Sequence, residues 1–374
     1  MIYITGSELS TRNAHSNQIS AMTKTYKKIL KDDFLFFSVT RDKNKKDNDY
    51  CNYIFSKTSN RFTKYLELCL TISMRYRKKI KMHQTVITRD IFVAYYFTRL
   101  GFNVAYEVHN QFHTKAGRFL IRRLRNKILY IFSCKGLQDY FIERYNVPKH
   151  HSLVAHNGVF IENYFPLSQD KITAIKKKYD LPLNKTILLH SGSLYKGRGI
   201  ELLKPIMDKF NKMYCVCVGG QPEDIEYWEE YYKDYQSIKF LGHFNSEMLV
   251  DVQRISDINF LPITKNNKIW WATSPLKLFE YLASPGYLLA SNVGSINEII
   301  SEDSAVIFDP YDEVDLVQKV EQILEGKVSE NILKNQKILA EKYTWLNRAK
   351  NILHFKKFSF AEMDALIEKI IRNK

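Results

Sequence analysis

Cysteine is scarce in this sequence, with five in 374 residues, and none falls in the spacing of a disulfide framework. Cys215 and Cys217 lie in the apolar run Met213–Gly220, where strict alternation puts both on one face of a buried strand. No Cys/His pairs stand at zinc spacing, so the thiols read as core groups in a reducing compartment. Long apolar runs are missing as well: none approaches the roughly 18 residues needed to span a bilayer. Met1-Ile2-Tyr3-Ile4-Thr5-Gly6 reads as a strand, not as a basic segment leading into an apolar signal core. A cytoplasmic chain is expected, with any contact to the inner face of the plasma membrane peripheral. The absence of G-x-G-x-x-G argues against a dinucleotide cofactor. Acidic residues are scarce in one half only. Residues 1–165 carry 28 Lys+Arg against 12 Asp+Glu, an excess of 16 that equals the net charge of the whole chain. The remainder is balanced at 28 against 28, so the first half is expected to face something anionic.

Short β-rich runs alternate with segments of helical spacing throughout, which predicts an α/β chain with parallel sheets. The strand candidates are Ile2–Gly6, Phe34–Val39, Thr85–Thr88, Val104–His109, Ile128–Ser133 and Ser152–Ala155, then six more from Thr186 to Phe308. The polar stretch Asn163–Leu183, with Pro166 and Pro182, divides the two series. The expected organisation is an N-terminal Rossmann-like domain over 1–163 and a second Rossmann-like domain over 164–353. A helix over 354–374 is expected to cross back onto the first domain, with a break near Ser359. Strand carboxyl ends, and a ligand, are then expected at a shared cleft.

Two stretches carry chemistry. The first is Leu188-Leu189-His190-Ser191-Gly192-Ser193-Leu194-Tyr195-Lys196-Gly197-Arg198-Gly199, a strand turning through glycines toward a helix. Unpaired N–H groups at such a turn favour phosphate, and Lys196 and Arg198 add cations; an ordinary βα turn with two solvated cations is the alternative. The second is Thr273-Ser274-Pro275-Leu276-Lys277-Leu278-Phe279-Glu280-Tyr281-Leu282-Ala283. Ser274 is expected to cap a helix that begins at Pro275, with Leu276, Phe279 and Ala283 on one face. Glu280 suits two vicinal hydroxyls because a carboxylate only accepts; a local Lys277–Glu280 ion pair is the alternative.

This second stretch resembles the nucleotide-sugar signature of family 4 retaining glycosyltransferases of GT-B fold, the glycosyl transferases group 1. It is followed by an apolar strand, Ser291-Asn292-Val293-Gly294-Ser295 and Glu298-Ile299-Ile300. Asn157-Gly158-Val159, the Gly192–Gly199 turn, Phe240-Leu241-Gly242, Asp257–Pro262 and Tyr343-Thr344-Trp345 with Arg348-Ala349 follow the family order. The resemblance implies that Glu280 binds the donor ribose and that Lys196 or Arg198, with Gly192 and Ser193, binds the diphosphate. Pro275, Leu276 and Lys277 open the donor helix, and Gly294, Ser295 and Glu298 form a further donor loop. The co-substrate is a nucleoside-diphosphate sugar of UDP or GDP type, with no metal and no other cofactor. The family's second glutamate, eight residues before Glu280, is here Ala272, so the donor sugar is not specified. The family's usual Gly-Lys-Pro is Pro285-Gly286-Tyr287.

In the first half the resemblance places His109, at the end of Ala105–His109, near the transferred sugar as the catalytic candidate. Ser7, Arg12, His15, Asn110 and His113 are candidates for the acceptor side. The lone D-x-D, Asp47-Asn48-Asp49, sits in a charged loop and reads as surface. Arg61–Lys81 holds seven basic residues and one acidic; Phe62, Tyr65, Leu66, Cys69, Ile72 and Tyr76 are spaced like one helical face. Lys115–Lys127 holds six basic residues and no acidic one. Both suit an anionic membrane surface, and no nucleic-acid motif is present. The expected activity is transfer of a sugar to a hydroxyl of a glycan or lipid-linked acceptor in bacterial capsule, lipopolysaccharide or exopolysaccharide synthesis. A nucleotide-sugar epimerase and a non-catalytic binder of an anionic polymer are the alternatives.

Overall fold

Nearly every strand is followed by a helix, and such crossovers force neighbouring strands to run parallel. The computed structural model describes residues 1–9, 14–111, 113–266 and 269–372, with side chains described through 357 and at Phe360. In chain order the strands are β1 (Ile2–Thr5), β2 (Leu35–Thr40), β3 (Asn52–Phe55), β4 (Thr85–Thr88), β5 (Asn103–Val108), β6 (Leu129–Phe132) and β7 (Ser152–Val154). The second series is β8 (Thr186–Gly192), β9 (Met213–Gly219), β10 (Ile238–Phe240), β11 (Ile258–Leu261), β12 (Tyr287–Ser291) and β13 (Val306–Phe308). The helices are α1 (Ala14–Leu30), α2 (Arg61–Arg75), α3 (Ile91–Arg99), α4 (Lys115–Leu124), α5 (Lys135–Tyr145), α6 (Gln169–Lys178) and α7 (Leu203–Lys209). They continue as α8 (Pro222–Tyr231), α9 (Ser246–Gln253), α10 (Leu276–Ala283), α11 (Glu313–Leu324), α12 (Asn331–Lys342) and α13 (Trp345–Arg372).

The chain forms two compact units, Met1–His156 with Trp345–Lys374, and Asn157–Thr344. The first holds a seven-stranded sheet in the order β3-β2-β1-β4-β5-β6-β7, the second a six-stranded sheet in the order β10-β9-β8-β11-β12-β13. All the strand pairs are parallel. In each sheet the connections reverse direction beside one central strand pair, β1/β4 and β8/β11, and a loop crevice opens at the carboxyl ends there. The five cysteines are free and buried. No helix among the described residues is long and apolar enough to cross a membrane.

Several expectations change. Strand β3 was not legible: Asn52–Phe55 is a four-residue edge strand with only Ile54 buried, and its apolar run, Tyr53-Ile54-Phe55, is too short to stand out from the charged loop before it. The stretch expected to divide the domains belongs wholly to the second unit, which begins at Asn157 and not at 164. Its α6 packs Ile172 and Ile175 against that unit's core, and its lysines disguise the amphipathic spacing. The return to the first unit comes at Trp345, not 354, and α13 runs unbroken past Ser359. Along α2 the anticipated single face is two faces. Tyr65, Leu68, Cys69 and Ile72 are buried, while Phe62, Leu66, Leu70 and Met74 are exposed at 63, 43, 41 and 75%. Four residues apart, the exposed four form one stripe.

The long return helix is tied down by a buried charge. Arg348 on α13 is 4% exposed, donates from Nη2 to Glu107 on β5, and from Nη1 to the His156 carbonyl at 2.9 Å. The other Glu107 oxygen accepts from the Tyr3 hydroxyl at 2.9 Å. Burial alone would raise this carboxyl, but His109, Arg348 and Arg89 outweigh it and hold it well below the usual carboxylate range. Removing one partner strands the other charge. Arg348→Ala is therefore expected to cost about 3–5 kcal/mol in urea unfolding of the first unit at neutral pH. Because the folded carboxyl is depressed, the pair's contribution is full above the ordinary value of 4.5 and fades as pH falls below it. A loss under about 1 kcal/mol at pH 7 would show the pair to be dispensable.

Candidate donor and acceptor sites

In the second unit the site grows from the β8 turn and helix α10. Gly192 ends β8 at φ +128°, and a Cβ there would lie 2.5 Å from the Lys277 ammonium nitrogen. Only glycine lets that cation sit on the turn. Farther along, Gly199 has φ +80°, and a Cβ would meet the Pro262 carbonyl oxygen at 2.1 Å, which fixes the turn against β11. Helix α10 is fastened to the same turn by Tyr281, fully buried, whose hydroxyl accepts from the Ser191 amide at 2.7 Å and lies 2.9 Å from Ser191 Oγ. Neutral hydrogen bonds of this kind contribute about 1 kcal/mol each, and these also fix where Lys277 and Glu280 point.

Pro275 caps α10, and the first helical residue is Leu276, one later than expected. Ser274 does not cap the helix. Its hydroxyl accepts from the Asn157 amide at 3.2 Å, and its carbonyl from Asn157 Nδ2 at 2.6 Å. The buried face is broader than Leu276, Phe279 and Ala283: Leu278, Phe279, Tyr281 and Leu282 are buried, while Leu276 is half-buried. Glu280 accepts from Gln253 Nε2 at 2.9 Å, and Gln253 in turn accepts from the Tyr164 hydroxyl at 2.6 Å. This relay fixes one carboxylate oxygen and leaves the other free to accept. Burial raises the Glu280 carboxyl, against the opposing pull of Gln253 and Lys277.

The cations sort differently from expectation. Lys196 is exposed, its ammonium 4.1 Å from the centre of the Tyr227 ring. Arg198 is half-buried, stacks at 4.5 Å on Tyr195, and keeps a buried Nε donor without a partner. Lys277 is half-buried too, and burial, with Arg198 beside it, pushes its ammonium down to about 7. Among the described residues neither Lys277 nor Arg198 has a carboxylate within the 4.0 Å of an ion pair, so the alternative reading, a Lys277–Glu280 bridge, is not formed. Two neighbouring cations without a carboxylate leave a place for an anion. Ser193 is exposed on the turn. Gly294, at φ +49°, packs on the Trp270 backbone, and Ser295 is buried and donates to the Thr273 carbonyl. Glu298 is half-buried, close enough to Tyr343 to raise its phenol after burial has done so. Ala272 is buried.

In the first unit a cavity of about 280 Å³ opens at the carboxyl ends of β1, β4 and β5. The candidates Ser7, His15, His109 and Asn110 line it, together with Arg61, Lys64, Tyr65, Arg89, Asp90, Tyr106 and Glu107, which sequence reading did not place there. His109 Nε2 lies 3.2 Å from Gln18 Nε2 and 3.6 Å from Glu107. Burial, then Arg89, pushes it down to about 3 against the pull of Glu107, so the imidazole is neutral at neutral pH. Ser7 Oγ and His15 Nε2 are 3.0 Å apart. His113 stands outside the lining: its Nε2 holds the Tyr106 hydroxyl at 2.8 Å. Arg12 lies outside the described residues. Arg89 was readable by the logic that picked His109, since it directly follows Thr88 at a strand end; Arg61 was counted with the surface charge. Asp47, in the D-x-D, accepts from the Tyr53 amide at 2.8 Å and the Tyr76 hydroxyl at 2.6 Å, which makes it a loop fastener.

Comparison with known proteins places the fold among glycosyltransferase structures. Residues 171–340 match the family model Glycosyl transferases group 1. Over 195 residues the chain is 26% identical to the sulfoquinovosyl transferase SQD2 of Arabidopsis thaliana, covering 50% of this chain and 36% of that protein. The match thus spans about a third of the relative's length. Among solved structures, sucrose-phosphate synthase of Thermosynechococcus elongatus aligns with TM-score 0.76 at 16% identity, over 96% of this chain and 99% of that one. Anabaena HepE in complex with UDP and glucose aligns with TM-score 0.75 at 12% identity, over 96 and 99%. The likeness to these structures is one of fold. Two parallel-sheet Rossmann-like units give the chain the GT-B fold of these structures, and residues 171–340, within its second unit, are similar to the Glycosyl transferases group 1.

Proposed function

We propose that the protein is a glycosyltransferase that moves a sugar from a nucleoside-diphosphate sugar to a hydroxyl of a glycan or lipid-linked acceptor. The observation that carries this reading is the side-by-side placement of a half-free carboxylate, Glu280, and two cations without carboxylate partners, Lys277 and Arg198. A nucleoside diphosphate presents that pair of features in reverse: vicinal ribose hydroxyls and, joined to the same ring through one methylene, a diphosphate. In this reading Glu280 accepts from the ribose, while Lys277 and Arg198 neutralise the charge that builds on the leaving diphosphate. Those two cations do the work a metal does elsewhere, and Lys196 is a peripheral contributor.

His109, neutral and held by Gln18 and Glu107, is the hydrogen-bonding group for the transferred sugar within the first unit's pocket. Ser7, His15 and Asn110 are its acceptor-side neighbours. Retention of configuration, family 4 membership and a role in bacterial surface-polysaccharide assembly follow the motif resemblance centred on Glu280. A solved HepE structure in complex with UDP-glucose makes UDP-glucose the first compound to try. The stripe Phe62–Leu66–Leu70–Met74 and the exposed Phe119, among the cations of α2 and α4, suit a peripheral contact with anionic lipid.

Three outcomes are expected. Glu280→Gln keeps the fold but lowers kcat/KM for the donor by about 10²-fold or more, a loss of roughly 3 kcal/mol of binding shared with the transition state. Turnover at the wild-type rate would remove Glu280 from the site. Between about pH 7.5 and 8.5, where the charge of UDP itself changes little, UDP is expected to bind more weakly as pH rises, because Lys277 loses its proton above about 7. The limit is about tenfold per pH unit, and Lys277→Met should flatten the slope; a slope unchanged in that variant assigns the proton elsewhere. Finally, sedimentation with phosphatidylglycerol vesicles should fall about tenfold for Phe62→Ser combined with Leu70→Ser, by loss of buried apolar area. Equal sedimentation of this double variant would leave the stripe without a lipid role.

A further inference from the structure

The first unit's pocket holds more positive charge than its own carboxylates answer. Both acids are already engaged. Glu107 is taken by Arg348, Tyr3 and His109. Asp90 accepts from the Gly6 amide at 2.8 Å and from the Tyr65 hydroxyl, and only at 3.9 Å does it meet Arg61. Arg89 has no ion pair within 4.0 Å among the described residues. Its Nη1 donates to Gln18 Oε1 and, at 3.4 Å, to the His15 carbonyl. Its Nη2 and Nε donate to nothing among the described residues, and the residue lines the cavity. Arg61, whose Nε binds the Tyr65 hydroxyl at 2.8 Å, and Lys64, with no ion pair among the described residues, line the same cavity.

A guanidinium fixed on one side by a side-chain amide and a carbonyl presents its remaining donors as a fork. That fork matches an oxyanion in shape and charge, and a largely buried cation is left costly without one. Neutral sugar hydroxyls would be served equally well by the pocket's tyrosines and histidines and would not need three cations. The structure assigns to Arg89, with Arg61 and Lys64, an oxyanion subsite that takes a phosphoryl or carboxylate group of the acceptor. This inference rests on the glycosyltransferase reading for the word acceptor, but the subsite itself does not. It also gives the basic excess of the first half a specific recipient besides lipid.

The test uses the full chain and calorimetric titration with inorganic phosphate, with glucuronate and with neutral methyl glucoside, each in the presence of saturating UDP. Phosphate or glucuronate should bind, the glucoside at least tenfold more weakly, and the tighter of the two anions identifies the group. Arg89→Gln should weaken the anion at least tenfold, Lys64→Gln by less, and Arg89→Lys should recover part of the loss, all with UDP affinity unchanged. Anion binding that is absent, or equal in Arg89→Gln and wild type, or matched by the glucoside, overturns the subsite. Should Arg89→Gln fail to fold, Lys64→Gln and Arg61→Gln decide, and full anion affinity in both is the contradicting result. If wild type binds no UDP, the donor reading fails by itself. Phosphate titrations of Arg89→Gln and Lys277→Gln without nucleotide then still decide this one, since only the first should lose binding.

Discussion

The approach of the Lys277 ammonium to Gly192 is the contact on which the second unit's chemistry depends. It requires a residue without Cβ at the end of β8, a helix that starts at Leu276, and a fastening that keeps helix and turn together. Tyr281 supplies the fastening through Ser191, and Asn157 holds Ser274 just ahead of the helix. Once those are in place, burial, with Arg198 beside it, pushes the Lys277 ammonium down to about 7. An anion between these two cations would relieve the repulsion between them.

The first unit solves a related problem with opposite means. Its buried carboxylate, Glu107, is fully answered by Arg348, Tyr3 and His109, and in being answered it anchors the returning helix α13 to the sheet. The same network sets the state of His109, which stays neutral because burial and Arg89 outweigh Glu107. Arg89 is the member left over. Its position after β4, at the point where the sheet's connections reverse, is where open α/β sheets place ligands.

Much of this was readable from residues whose role is local. Pro275 followed by the apolar spacing of Leu278, Phe279 and Leu282 announces a helix, and glycines at 192, 197 and 199 announce a tight turn. Strand runs such as Thr186–Gly192 and Ile258–Leu261 are apolar enough to be found without help. What escaped depends on contacts between residues far apart in sequence. Gln253 and Tyr164 orient Glu280 from 27 residues away and beyond, and nothing in their neighbourhoods marks them. Lys196 and Arg198 look equivalent on the page; only Tyr227, on α8, draws the first outward. The two faces of α2 share one spacing pattern, so periodicity alone merges a buried row with an exposed one. Strand β3 was hidden by its shortness and helix α6 by its lysines.

The most direct measurement is a crystal structure of the full chain with UDP or GDP bound. The account predicts the ribose hydroxyls within hydrogen-bond distance of the Glu280 carboxylate and the diphosphate against Lys277, Arg198 and the Gly192 turn. A nucleotide seated elsewhere, or with its diphosphate away from Lys277, would contradict it.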